Sequence, residues 1–267
     1  YKREVTAMKD NGQNMGGTAI VTPMSVQEIK GTAIGTTAPT ALTKNIVSRG
    51  FENGITQEDL IIPRAKLIQS LSPELTTDKV KGVEVGSIVN SLTKEVLSQE
   101  FVPIFTFKNY IRFNPKDKSS ANFESEYPPG AIIWRSTDPE DNRVAAECHI
   151  GPNGEKPKAT TFLNFFCHFP GVLMPIIVSF SKTSDKAGKQ LLSLAKFCGG
   201  DMFSRKYRLT SISETKDNNT YAVFIIMPDG IVSEDEYKLC EKMWNDFSHK
   251  TKNIEVDNLE EDTERPY

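Results

Sequence analysis

Cysteine is scarce in this chain of 267 residues. The four present, at positions 148, 167, 198 and 240, are too few and too scattered to staple a domain, which excludes a disulfide scaffold and points to a reducing cytoplasm. A basic excess is also lacking: 32 Lys and Arg against 35 Asp and Glu leave a net charge of −3. That balance excludes a uniformly basic nucleic-acid binder but leaves room for a polarised one. Apolar residues reach only 38%, and adding glycine still leaves the chain below the roughly 45–50% of a globular domain, so part of it lies outside any core. Uninterrupted hydrophobic runs are missing too. The uncharged stretch Thr161 to Phe180 has the length of a membrane span, yet it holds Asn164, His168, Pro170-Gly171 and Pro175. Two buried strands joined by a turn account for it, and no membrane attachment is expected.

What is present divides the chain into three parts. Residues 1–48 are rich in Gly, Thr and Ala without apolar periodicity and read as a flexible arm. Residues 49–250 carry the folded domain, and residues 251–267 form an acidic tail. Within the domain, strand-like runs occupy 86–96, 101–113 and 131–134, with a long loop over 114–130 and turn-rich connectors at 138–142 and 151–154. Strands over 161–169 and 172–180 precede a helix opened by Ser184-Asp185 and stopped by Gly199-Gly200. A hairpin follows, 205–213 and 220–227 about the turn 216–219, and then a capping box at Ser233 to Glu236 opens a last helix. This order predicts a mainly β (α+β) fold: an elaborated OB-like β-barrel with one helix before the last hairpin and a C-terminal helix, a β-sandwich being the second choice.

Charge is polarised along the domain. Between Lys182 and Arg208, seven cations (Lys182, Lys186, Lys189, Lys196, Arg205, Lys206, Arg208) face two acids, close in sequence to Phe180, Phe197, Phe203 and Tyr207. A second stretch sets Lys108, Arg112, Lys116 and Lys118 against Asp117, amid Phe105, Phe107, Tyr110 and Phe113, and Trp134-Arg135 makes a third aromatic–basic pair. Strand alternation sends Tyr110 and Arg112 to one face, Ile111 and Phe113 to the other. Cations that neutralise phosphates beside aromatic faces that stack bases are the ingredients of a single-strand groove. The candidate nucleic-acid contacts are therefore Lys108, Tyr110, Arg112, Trp134, Arg135, Lys182, Lys186, Lys189, Arg205, Lys206, Tyr207 and Arg208. The alternative for the aromatics is core packing.

The C-terminus has the opposite sign. From Glu255 to Tyr267 six acids face Arg265 alone. Such a tail can lie on a cationic groove or offer itself to basic partners. The barrel-like order, the two basic–aromatic stretches and an acidic tail closing on an aromatic residue together resemble the single-stranded-DNA-binding proteins of tailed phages and bacteria. The resemblance implies a phage-encoded protein at work in the host cytoplasm, with replication proteins recruited through Glu260, Glu261, Asp262, Glu264 and Tyr267. Here Arg265-Pro266 interrupts the acidic run, a departure from that pattern.

Enzymatic readings find less support. Gly188-Lys189 suggests a phosphate loop, but Thr183 stands where the pattern needs glycine and Gln190 where it needs Ser or Thr. Cys148-His149 and Cys167-His168 carry metal-ligand residue types, yet neighbours on a strand point to opposite faces. No cofactor and no catalytic residue are expected. The function expected is non-enzymatic binding of single-stranded DNA with little sequence preference; the alternative is a phage virion or assembly protein that uses its N-terminal arm for subunit contacts.

Overall fold

The computed structural model describes residues 61–216 and 219–248. The proposed arm over 1–48, the tail over 251–267 and the centre of the hairpin turn lie outside the described residues.

Apolar alternation on both faces of the same strands sets the architecture. The strands are β1 Ala65–Leu67, β2 Ile88–Asn90, β3 Glu100–Phe113, β4 Ile132–Ser136, β5 Thr160–His168, β6 Ile176–Phe180, β7 Arg205–Lys216 and β8 Asn219–Ile231. The helices are α1 Asn142–Glu147, α2 Asp185–Phe197 and α3 Glu234–Phe247. Six strands form one antiparallel sheet in the order β6-β5-β3-β7-β8, with β4 paired to β3. On β5, Leu163, Phe165 and Cys167 join one apolar cluster while Phe162 and Phe166 join another, the period-two alternation of a strand buried on both faces. The uncharged Thr161–Phe180 stretch is accounted for in this way, since β5 and β6 are largely buried strands whose side chains face apolar clusters. No helix among the described residues is long and apolar enough to cross a membrane.

A long helix packs on each face. On one side α2 sets Ala187, Leu191 and Ala195 against Phe165, Phe180 and Phe224. Gly188 permits the close approach: a Cβ there would stand 2.7 Å from the Phe180 Cβ. On the other side α3 buries Cys240 and rests Phe247 on Phe166, ring centroids 5.2 Å apart. Its Ser233 cap accepts from the Glu236 amide at 3.3 Å, and Tyr237 packs on Phe203 while donating to Asp201 at 2.5 Å. Both helices and the hairpin stand where the sequence puts them.

The barrel is the part that changes. Mainly β, antiparallel and carrying few helices, the fold matches the expected class, but the described strands do not close: β6 and β8 end the strand order, and β4, paired to β3 alone, is a further edge. An OB barrel turns one strand face inward, whereas here both faces are covered by helices. The edges are shielded by other groups. The Ile177 amide on β6 donates to the Pro63 carbonyl at 2.9 Å. On β8 the side chain of Gln69 stands in for a strand, accepting from the Ala222 amide at 2.9 Å and donating to its carbonyl at 3.0 Å. Gln190 of α2 donates to the Ile226 carbonyl at 3.3 Å. Groups so occupied are withdrawn from further strand pairing.

Local differences have local causes. The β3–β5 register shifts between Pro103 and Phe105, because proline has no amide hydrogen for the ladder. The expected strand over 86–96 shortens to β2, then turns so that Val96 bridges back to Val89. The connector expected at 138–142 ends as the cap of α1, where the Asp141 carboxylate accepts from the Arg143 amide at 2.9 Å.

Candidate nucleic-acid interface

A cleft of about 820 Å³ opens where β3, β5, the loop after α1 and the start of α2 converge. Six cations line it (Lys108, Arg112, Lys156, Lys158, Lys182 and Lys189), with Asp185 as its single carboxylate. Phe113, Leu163 and Leu192 add apolar wall.

Strand alternation puts Lys108 and Arg112 on the same side of β3, opposite Ile111 in the core beneath α3. Arg112 is held rather than free: it donates to Glu147 at 2.9 Å and to Glu124. Glu147 also accepts from the Trp134 indole at 2.9 Å, so one carboxylate fixes both the arginine and the neighbouring strand. Lys189 reaches Asp185 at 2.6 Å on the exposed side of α2, a pairing worth less than about 1 kcal/mol and easily exchanged for a phosphate. Lys108 and Lys158 have no carboxylate within 4 Å among the described residues. Lys182 lines the cleft from a left-handed backbone, φ 48°, a conformation costing a non-glycine residue roughly 1–2 kcal/mol.

Of the twelve candidate contacts, Lys108, Arg112, Lys182 and Lys189 come together here. The aromatic members do not. Tyr110 and Trp134 are buried with Val144 and Ala159 beneath α1, and Tyr207 is 1% exposed between Phe101 and the rest of the core. Burial raises the phenol pKa of both tyrosines. These three rings are buried in packing, away from the cleft lining, which differs from the exposed placement that stacking on bases needs. On β7, Lys206 pairs with Glu100 at 2.7 Å and Arg208 with Asp229 at 2.9 Å; like Arg205, Arg135 and the exposed Lys186, they do not line the cleft. Lys156 and Lys158 were missed, because their stretch, Glu155-Lys-Pro-Lys, reads as a turn with no aromatic beside it. Their own two-lysine spacing was the available signal.

A match to a family model covers residues 30–253, and the family is described as Pam3 phage gp34-like protein. The chain belongs to that family. Membership agrees with the phage-encoded protein expected from the sequence, and the family description carries no statement about nucleic acid. No curated protein and no solved structure matches the chain. Burial raises the Cys148 thiol pKa and pushes that of Cys167 well up, which keeps both protonated and weakly nucleophilic. Among the described residues no group of three or more His, Cys, Asp and Glu could hold a metal ion.

Proposed function

We propose that this phage-family protein is a non-enzymatic binder of single-stranded DNA, acting through the cationic cleft in support of phage DNA replication or recombination in the host cytoplasm. One observation carries the reading: six cations from four separate segments converge on a cleft with a single carboxylate. Arg112 and Lys189 already meet carboxylates, while Lys108 and Lys158 have none within 4 Å among the described residues, and a phosphate backbone supplies one charge per nucleotide. The volume suits a few linked nucleotides, within the roughly 300–1,000 Å³ of ligand sites. With Tyr110, Trp134 and Tyr207 in the core, the grip is on phosphate and sugar, which carry no sequence information. Little sequence preference follows. The acidic tail, Glu260, Glu261, Asp262, Glu264 and Tyr267, is the recruiting segment for replication proteins in this reading.

Titration of an oligothymidylate across salt concentrations tests it. Each neutralised phosphate contributes about −0.7 to the log–log slope, so Lys108→Ala, Lys158→Ala and Lys189→Ala together flatten it by about 2. The control replaces Lys186, Lys196 and Lys242, which do not line the cleft, and leaves the slope as it was. Equal effects of the two triple variants would place binding elsewhere, and a folded chain that ignores oligonucleotide at low salt would turn the reading toward an assembly role.

A further inference from the structure

Arg112 carries more counter-charge than it needs. Its side chain, 12% exposed, donates through Nη1 to Glu147 at 2.9 Å and through Nη2 to Glu124. One cation therefore meets two carboxylates, in a cleft where Lys108 and Lys158 meet none among the described residues.

The two carboxylates are not equally fixed. Glu147 ends α1, is 19% exposed, and accepts from the Trp134 indole at 2.9 Å as well as from Arg112, while its backbone carbonyl takes the Ala159 amide at 3.0 Å. Glu124 lies on the loop between β3 and β4, which lines the cleft through Pro115, Ser120 and Asn122, and its side chain is 36% exposed. Among the described residues its carboxylate has Arg112 alone as partner. The backbone beneath it is pinned, because the fully buried Asn114 accepts from the Glu124 amide at 2.8 Å and donates to its carbonyl at 2.9 Å. The side chain can thus swing into solvent without any movement of the loop. Its departure leaves Arg112 balanced one charge against one by Glu147, with the Nη2 donor open. A guanidinium fork accepts a phosphate in the same geometry as a carboxylate.

We propose that Glu124 holds the place of a phosphate on Arg112: nucleic acid entering the cleft displaces this carboxylate, a backbone phosphate takes over its donor, and Glu124 thereby sets how tightly the cleft binds. The inference rests on the nucleic-acid reading above. Glu147 stays in place through the exchange and keeps the arginine oriented.

The test uses the full chain and compares Glu124→Gln and Glu124→Asp with wild type, the exposed Glu126→Gln on the same loop serving as the charge control. Each is titrated with an oligothymidylate of about 30 nucleotides at about 0.1 M salt and melted alone. Glu124→Gln gives up the competing charge. Glu124→Asp keeps that charge but is one methylene too short to hold the guanidinium. Both are therefore expected to bind about fivefold tighter, the upper end of what such a pair is worth, and to melt at or slightly below the wild-type temperature. Glu126→Gln stays within about twofold of wild type, since solvent and salt screen a charge that touches no donor. Glu124→Asp binding like wild type, with the two Gln variants tightened alike, would reduce Glu124 to repulsion at a distance and overturn the displacement. Unchanged or weaker binding by Glu124→Gln overturns it as well, since Arg112 then keeps both carboxylates in the complex; either result leaves the cleft reading intact. A wild type that binds no oligothymidylate overturns both.

Discussion

Replacing Gly188 by alanine sets two known effects against each other. In an isolated helix the change would stabilise α2 by about 1 kcal/mol, since glycine is among the poorest residues in a helix interior. In this fold the new methyl would stand 2.7, 2.8 and 3.1 Å from Cβ, Cγ and Cδ2 of Phe180. Carbon atoms in contact settle at roughly 3.5–4.0 Å, so one partner has to withdraw by about 1 Å. Phe180 cannot: it is fully buried, edge-on to Phe165 at 5.7 Å and to Phe224 at 5.5 Å. The helix moves instead. Overpacking of this kind costs about 1–3 kcal/mol, and set against the propensity gain the net loss reaches about 2 kcal/mol, a fall of up to roughly 8 °C in melting temperature. Because α2 carries Lys189 and Leu192 on the cleft wall and begins just past Lys182, its withdrawal also widens the cleft and weakens oligonucleotide binding. Melting followed by circular dichroism, beside a titration at 0.1 M salt, reads both. A rise in melting temperature would refute the argument, showing that propensity outweighs the contact with Phe180.

Removing the buried Tyr207 hydroxyl, which has no hydrogen-bond partner among the described residues, should raise stability by about 1 kcal/mol in Tyr207→Phe and leave oligonucleotide affinity unchanged; weaker binding in a folded variant would return the ring to the interface. Gln69→Leu strands both the amide and the carbonyl of Ala222 and is expected to cost about 2–4 kcal/mol by chemical denaturation, whereas a loss below 1 kcal/mol would mean that β8 does not need the cap. Burial depresses the His168 pKa, with Glu236 opposing, so the unfolded chain takes up the proton first: stability should fall as pH drops below about 6.5 and level off below the lowered folded value. His168→Gln flattens that part of the profile, and an unaltered profile would assign the acid loss to other groups. Deleting Asn258 to Tyr267, which holds four acids against Arg265, should tighten oligonucleotide binding at low salt with little change in melting; equal affinity at low salt would rule out competition between tail and cleft.

Much of the fold is legible because its elements announce their own ends. Ser184-Asp185 and Gly199-Gly200 bracket α2, Ser233 and Glu236 open α3, and the turn at Pro170-Gly171 parts β5 from β6. The choice between barrel and open sheet is not legible. It depends on what lies beside β6 and β8, and those partners, Pro63, Gln69 and Gln190, are distant in sequence and carry no periodic signature. Gly188 shows the same limit from another side: next to Lys189 it reads as the remnant of a phosphate loop, while its physical reason is the ring of Phe180 pressed against the helix.

The site divides along the line between charge and ring. A lysine or arginine needs water or a counter-charge, so its position in sequence nearly fixes that its head group will be at a surface, and four of the cationic candidates do meet in one cleft. An aromatic ring gains most from burial, and a position beside a cation says little about which side of a strand is covered. Tyr110 shares its strand face with Lys108 and Arg112, as alternation requires, yet α1 covers the middle of that face and leaves only the cationic flanks open. What covers it was written in Asp141-Asn142-Arg143-Val144, a capped helical turn within a segment that otherwise reads as loop. Six residues of helix therefore decide whether this face presents bases with a stacking platform or phosphates with a row of cations. Under the proposed function the covered rings favour the second arrangement, in which binding follows backbone charge and salt rather than base identity.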